Sequence, residues 1–80
     1  MKYLVTGGGG YTGMAVVKRL AERGDAVVAF DLTVSDALRE YAESRPDVIP
    51  VAGNITSLPH IAQTFKEHCP EAVIHLAGAV

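Results

Sequence analysis

The 80-residue chain has a single cysteine, Cys69. It can form no intrachain disulfide and no cysteine-based metal cluster. It also lacks an excess of either charge. Seven Lys and Arg stand against nine Asp and Glu, a formal net of −2. That excludes an obvious basic face for nucleic acid or anionic lipid. Long hydrophobic runs are missing too. The longest, such as Ala26 to Phe30, fall well short of the roughly 18–20 residues that cross a bilayer. The N-terminal MKYLVTGGGG breaks after a few apolar residues. It contains no apolar core of roughly 7–15 residues, so a signal peptide is not expected. No low-complexity segment, linker or charge block divides the chain. These absences lead to the expectation of one cytoplasmic, globular domain that binds neither membrane nor nucleic acid.

What is present suits a packed core. Apolar residues make up 49% of the chain and charged residues 20%, a balance that excludes disorder. Strand and helix signals alternate in the rhythm of βαβ units. Lys2 to Thr6 reads as a strand running into Gly7-Gly8-Gly9-Gly10. Tyr11 to Arg23 reads as a helix, with Met14, Val17, Leu20 and Ala21 on one face. Gly24 suits the cap that ends it. Ala26 to Phe30 is a short continuous apolar run, as in a strand covered on both faces. Ser35 is placed to cap a helix over Asp36 to Glu43, with Leu38, Tyr41 and Ala42 on one side.

Val48 to Ala52 reads as a third strand. Its Pro50 points to a sheet edge or a bulge. Ser57 or Thr56 caps a third helix, with Pro59 in its first turn. Leu58, Ile61, Ala62 and Phe65 are expected on the buried face of that helix. Ala72 to Ala77 is the fourth strand. The order β-α-β-α-β-α-β, with right-handed crossovers, gives an α/β fold. It is part of a Rossmann-type doubly wound parallel sheet with strand order 3-2-1-4. Strand 3 is then an edge, where a proline is tolerated.

The chemistry is concentrated in Val5-Thr6-Gly7-Gly8-Gly9-Gly10-Tyr11-Thr12-Gly13. This stretch holds both G-x-G-x-x-G and T-G-x-x-G-x-x-G. Glycines let a pyrophosphate approach backbone N–H groups, because no Cβ blocks the way. The N-terminus of the following helix adds unpaired N–H groups and a positive dipole end. Asp31 ends strand 2, roughly 20 residues after the glycines, the context of a dinucleotide site. Its carboxylate can accept two hydrogen bonds from ribose hydroxyls and would repel a 2′-phosphate. No Lys or Arg occurs in the glycine loop or in Leu32-Thr33-Val34-Ser35, so NAD is expected over NADP. Two plainer alternatives stay open, a ligand-free glycine turn and a solvated turn Asp.

Together, TGGGGYTG, FDL after strand 2, GNI after strand 3 and VIHLAG on strand 4 resemble the extended short-chain dehydrogenase/reductase family. The closest pattern is its UDP-glucose 4-epimerase-like epimerase/dehydratase branch. The resemblance runs along all 80 residues but matches only the N-terminal part of such an enzyme. It implies that the backbone at Tyr11 and Thr12 cradles the pyrophosphate, with Gly7 and Gly10 making room and Gly13 closing helix to strand. It implies that Asp31 and Leu32 meet the adenosine ribose. Asn54-Ile55 stands where the family usually has Asp-Ile or Asp-Val to read the adenine edge. Asn offers both an acceptor and a donor for that contact, and it is also a turn-favouring residue. Leu76, Ala77 and Gly78 match the segment that backs the cofactor. Thr12 replaces the usual Ile.

The family's reaction uses a Tyr followed four residues later by Lys. After Tyr3, Tyr11 and Tyr41 the corresponding residues are Gly7, Ala15 and Arg45, so no catalytic residue is assigned. His75 reads as a packed strand histidine or, less simply, a functional one. His60 and His68 read as solvent-facing. No residues are placed to hold a metal. The resemblance implies an NAD-dependent, homodimeric parent of roughly 300 residues acting on a nucleotide sugar by transient hydride transfer. Its remaining strands and substrate region would lie beyond Val80. Two other readings stay open: a non-catalytic dinucleotide-binding or sensor module, and a methyltransferase-type Rossmann domain.

Overall fold

A computed structural model describes residues 1–76. Four parallel strands, β1 (Lys2–Thr6), β2 (Ala26–Asp31), β3 (Val48–Ala52) and β4 (Ala72–His75), form a sheet in the order β3-β2-β1-β4. Three helices, α1 (Tyr11–Glu22), α2 (Asp36–Glu43) and α3 (Leu58–His68), connect them. The expected α/β architecture and strand order are those observed. The edge position of β3 explains Pro50, which pairs only with Ala29 of β2. A proline lacks the N–H that a strand flanked on both sides needs.

The period-2 alternation of strand side chains divides the core in two. Val5, Val27, Ala29 and Val48 meet Val17, Leu20 and Ala21 of α1 and Leu38 of α2 on one face. Leu4, Val28 and Phe30 point to the other, with Val51 and Ile55 against them. Both faces of β2 are therefore covered, as its unbroken apolar run requires. Helix α1 ends in two nested bonds: the Gly24 N–H donates to the Ala21 carbonyl, and the Asp25 N–H to that of Leu20. This is a Schellman cap around Gly24. Helix α2 starts as expected, with Ser35 Oγ accepting the Leu38 N–H at 3.2 Å.

Helix α3 departs from expectation. Leu58 is 75% exposed and Phe65 39%, and Ala62 is also exposed. The inward stripe is instead Ser57, Ile61, Thr64 and His68, spaced by four, three and four residues. Thr64 is buried at little cost because its hydroxyl donates to the His60 carbonyl at 2.9 Å. Ser57 is the N-cap residue but makes no side-chain capping bond. Between α3 and the sheet lies a cavity of about 310 Å³, bordered by Leu4, Phe30, Ile61, Phe65 and Val73. Among the described residues, no helix is long and apolar enough to cross a membrane.

Candidate functional site

The register brings three strand ends together. Thr6 lies level with Phe30 on one side and His75 on the other. The sheet order reverses between β2 and β4 around β1, and the crevice beyond such a switch point is where open α/β sheets bind ligands. The glycine loop leaves β1 at that crevice.

The loop satisfies its own amides. The Gly7 and Gly8 N–H groups donate to the Phe30 carbonyl at 2.8 and 3.4 Å, and the Gly10 N–H to that of Gly7 at 3.2 Å. The Gly9 N–H donates to Asp31 Oδ2 at 3.0 Å. The next amides are different. Gly10, the N-cap residue of α1, contributes no capping side chain, and no acidic residue lies in the first turn. Among the described residues nothing accepts from the N–H groups of Tyr11, Thr12 or Gly13. Helix α2 has its cap and α1 does not. The open N–H groups at Tyr11 and Thr12, with the positive end of the helix dipole, form a place for an anion.

The glycines do different work. At Gly13 a Cβ would stand 1.9 Å from the Gly7 carbonyl oxygen and 2.8 Å from Gly8 Cα. Only glycine lets α1 start this close to the loop, so the close approach is to the loop backbone itself. Gly10 has an ordinary φ of −80°, and a Cβ there would come no nearer than 3.6 Å to Gly7. The fold does not require glycine at position 10.

Asp31 is half-buried at the end of β2. Besides the Gly9 bond, its Oδ1 accepts the Leu32 N–H at 2.7 Å. Each oxygen keeps a lone pair for a further donor. Beside it is a small slot of about 130 Å³, bordered by Phe30, Asp31, Leu32, Gly53, Asn54 and Ile55. The structure thus gathers Asp31 and Leu32, at the end of β2, and Asn54 and Ile55, from the loop after β3, around one opening. Among the described residues no Lys or Arg borders it.

Phe30 and Gly53 are two members of the slot that motif reading missed. Gly53 is buried, and a Cβ on it would lie 2.6 Å from Phe30 Cζ. The glycine of the G-N-I triplet was the available signal. Asn54 is fixed by a local turn: its Oδ1 accepts from the Thr56 N–H at 2.9 Å and the Thr56 hydroxyl at 2.7 Å. The turn-forming reading of Asn54 is therefore present in the structure.

Leu76 is the first residue after β4, and its N–H donates to both the Thr6 carbonyl and Thr6 Oγ1 at 3.1 Å. Ala77 and Gly78 lie outside the described residues. His75 is exposed rather than packed, because it lies on the outer strand of the described sheet. Its Nδ1 is 2.7 Å from Thr6 Oγ1. His60 is exposed as expected, and its Nδ1 accepts the Asn54 N–H at 2.9 Å. The His68 side chain is only 19% exposed, since it falls on the inward stripe of α3. Among the described residues no group of three or more His, Cys, Asp or Glu could hold a metal.

Known proteins share this arrangement. The chain is 40% identical over 83 residues to dTDP-glucose 4,6-dehydratase 1 of Escherichia coli (strain K12), across 98% of this chain and 23% of that protein. It is 34% identical over 80 residues to UDP-glucose 4-epimerase of Azospirillum brasilense, across 99% of this chain and 22% of that protein. The crystal structure of UDP-glucose 4-epimerase from Bifidobacterium longum, in complex with NAD+ and UDP, superimposes with a TM-score of 0.85 at 26% identity. That match covers 98% of this chain and 24% of that one. The chain thus spans about a quarter of the length of these relatives. The model of the NAD dependent epimerase/dehydratase family matches residues 3–80, which include the glycine loop, Asp31 and the slot beside it, and the chain belongs to that family.

Proposed function

We propose that this chain binds NAD across the C-terminal ends of β1 and β2. The pyrophosphate lies against the open N–H groups of Tyr11 and Thr12, over Gly7 and Gly10, with Gly13 holding α1 close to the loop. The adenosine ribose hydroxyls donate to Asp31, with Leu32 alongside. The base enters the slot at Asn54 and Ile55, and the segment of Leu76, Ala77 and Gly78 backs the cofactor. Bound there, NAD supplies a hydride acceptor and donor. The chain's own part is to hold and orient it. The observation that carries this reading is the division of labour in the loop. Four glycine amides are satisfied internally, while the next amides, at Tyr11 and Thr12, have no acceptor among the described residues.

We assign the chain the N-terminal part of a dinucleotide-binding domain, and the whole protein the transient oxidation and reduction of a nucleotide sugar. Membership of the family supports this. So do relatives named for a dTDP-glucose dehydratase and a UDP-glucose epimerase. Calorimetric titration with NAD and NADP tests the cofactor. NAD binding well ahead of NADP is expected, since Asp31 opposes a 2′-phosphate and among the described residues no cation borders the slot. Equal binding, or none, would refute it.

The second reading is a non-catalytic dinucleotide-binding module. It needs only the dinucleotide site and no Tyr-x-x-x-Lys pair; within these 80 residues no Lys stands four residues after Tyr3, Tyr11 or Tyr41. Assay of the protein purified from its source with UDP-glucose and NAD separates the two. Sugar conversion supports the enzyme; NAD binding without conversion of any nucleotide sugar supports the module.

A further inference from the structure

Among the described residues Asn54 and Asp31 are the two polar side chains bordering the slot, and the hydrogen-bonding capacity of Asn54 is already partly committed. The Thr56 backbone N–H can only donate, so the Asn54 atom facing it is Oδ1. The Thr56 hydroxyl donates to the same oxygen. A carbonyl oxygen has two lone pairs, and both are filled. The Asn54 backbone N–H is taken by His60 Nδ1. What the side chain can still offer a ligand is Nδ2, a donor with two hydrogens and no acceptor.

We propose that Asn54 is a specificity-determining residue that meets the base of the dinucleotide as a hydrogen-bond donor only, so that the site accepts a 6-oxopurine as readily as a 6-aminopurine. This rests on the reading that the slot takes the base. Adenine presents a donor at its 6-amino group and acceptors on its ring nitrogens, whereas a 6-oxopurine presents an acceptor oxygen at position 6. Nδ2 can pair with a ring acceptor of the first or the oxygen of the second. Selecting the amino group would need a side-chain acceptor; the Asn54 oxygen is occupied, and the remaining lone pairs of Asp31 are taken by the ribose hydroxyls on the reading above.

The test is titration of the protein with NAD and with its deaminated analogue, nicotinamide hypoxanthine dinucleotide, in wild type and Asn54→Asp. In the variant one carboxylate oxygen can keep both Thr56 bonds, while the other puts an acceptor where Nδ2 stood. Wild type should bind the two dinucleotides within about threefold of each other, less than one net hydrogen bond is worth. N54D should favour NAD by about tenfold, through a charge-assisted bond to the amino group and repulsion of the oxo oxygen. Wild type favouring NAD tenfold, or N54D leaving the ratio unmoved, would overturn the proposal. If wild type binds neither dinucleotide, the cofactor reading itself falls and this one with it. The wild-type ratio stands as a test even if the variant does not fold.

Discussion

The Asp31 carboxylate accepts the Gly9 amide at 3.0 Å, joining the end of β2 to the glycine loop across 22 residues of sequence. The two parts of the proposed cofactor site are thereby held in one geometry before any ligand arrives. Asp31 fixes the loop, and on the proposed reading its remaining lone pairs would accept from the ribose hydroxyls. Asp31→Ala should lower NAD affinity about tenfold or more, the worth of hydrogen bonds to a charged group. It should also narrow the preference for NAD over NADP, because the repulsion of a 2′-phosphate is gone. Titration of the variant with both dinucleotides checks this, and unchanged NAD affinity would remove Asp31 from the site.

The loop glycines give a second, sharper contrast. Gly13→Ala forces a Cβ to within 1.9 Å of the Gly7 carbonyl oxygen. It should destabilise the chain by several kcal/mol, about the upper end for a single substitution. Gly10→Ala meets only ordinary contacts in the fold and should leave the thermal midpoint nearly unchanged. Its methyl group would stand where the pyrophosphate must come close, so NAD affinity should fall steeply. Thermal melts beside NAD titrations separate the two. A Gly10→Ala variant with full NAD affinity would contradict the close approach of the pyrophosphate over Gly10.

Cys69 offers a test of the backbone at the end of α3, where its side chain makes only a weak Sγ contact to the Lys66 carbonyl at 3.7 Å. It is exposed, and it ends α3 with a left-handed φ of 48° and ψ of 55°. That conformation costs an L-residue about 1–2 kcal/mol, partly offset in a glycine variant by the larger entropy of its unfolded chain. Cys69→Gly should therefore stabilise by about 0.5–1 kcal/mol, raising the midpoint by a few degrees. A lower midpoint would contradict the backbone assignment.

Much of this architecture is legible in the sequence, and the reasons are local. The three-and-four spacing of Val17, Leu20 and Ala21, the cap residue Ser35 and the continuous run of β2 each imply one element and its buried side. Pro50 identifies an edge because a proline cannot donate to a second neighbour. The glycine spacing and Asp31 point to the proposed site because backbone geometry and carboxylate chemistry restrict which residues fit there. What escapes a linear reading depends on partners distant in sequence or on how an element is rotated. Leu58, Ile61 and Phe65 spell an apolar stripe, but local pattern does not decide which edge of it turns inward. Thr64 is buried there because its hydroxyl bonds back to His60. The Thr6–His75 contact joins residues 69 apart, with no local signature. Asn54 could be read as a base contact or a turn residue. The Thr56 bonds show that its oxygen serves the turn.

The most direct test of the account is an NMR titration of the ¹⁵N-labelled protein with NAD. The amide signals of Tyr11 and Thr12, open in the structure, should move furthest. Those of Gly9, Leu32 and Ile55 should follow as the ribose and base settle beside Asp31 and Asn54. Saturable shifts confined to other surfaces, with Tyr11 and Thr12 unmoved, would contradict a dinucleotide site at the start of α1.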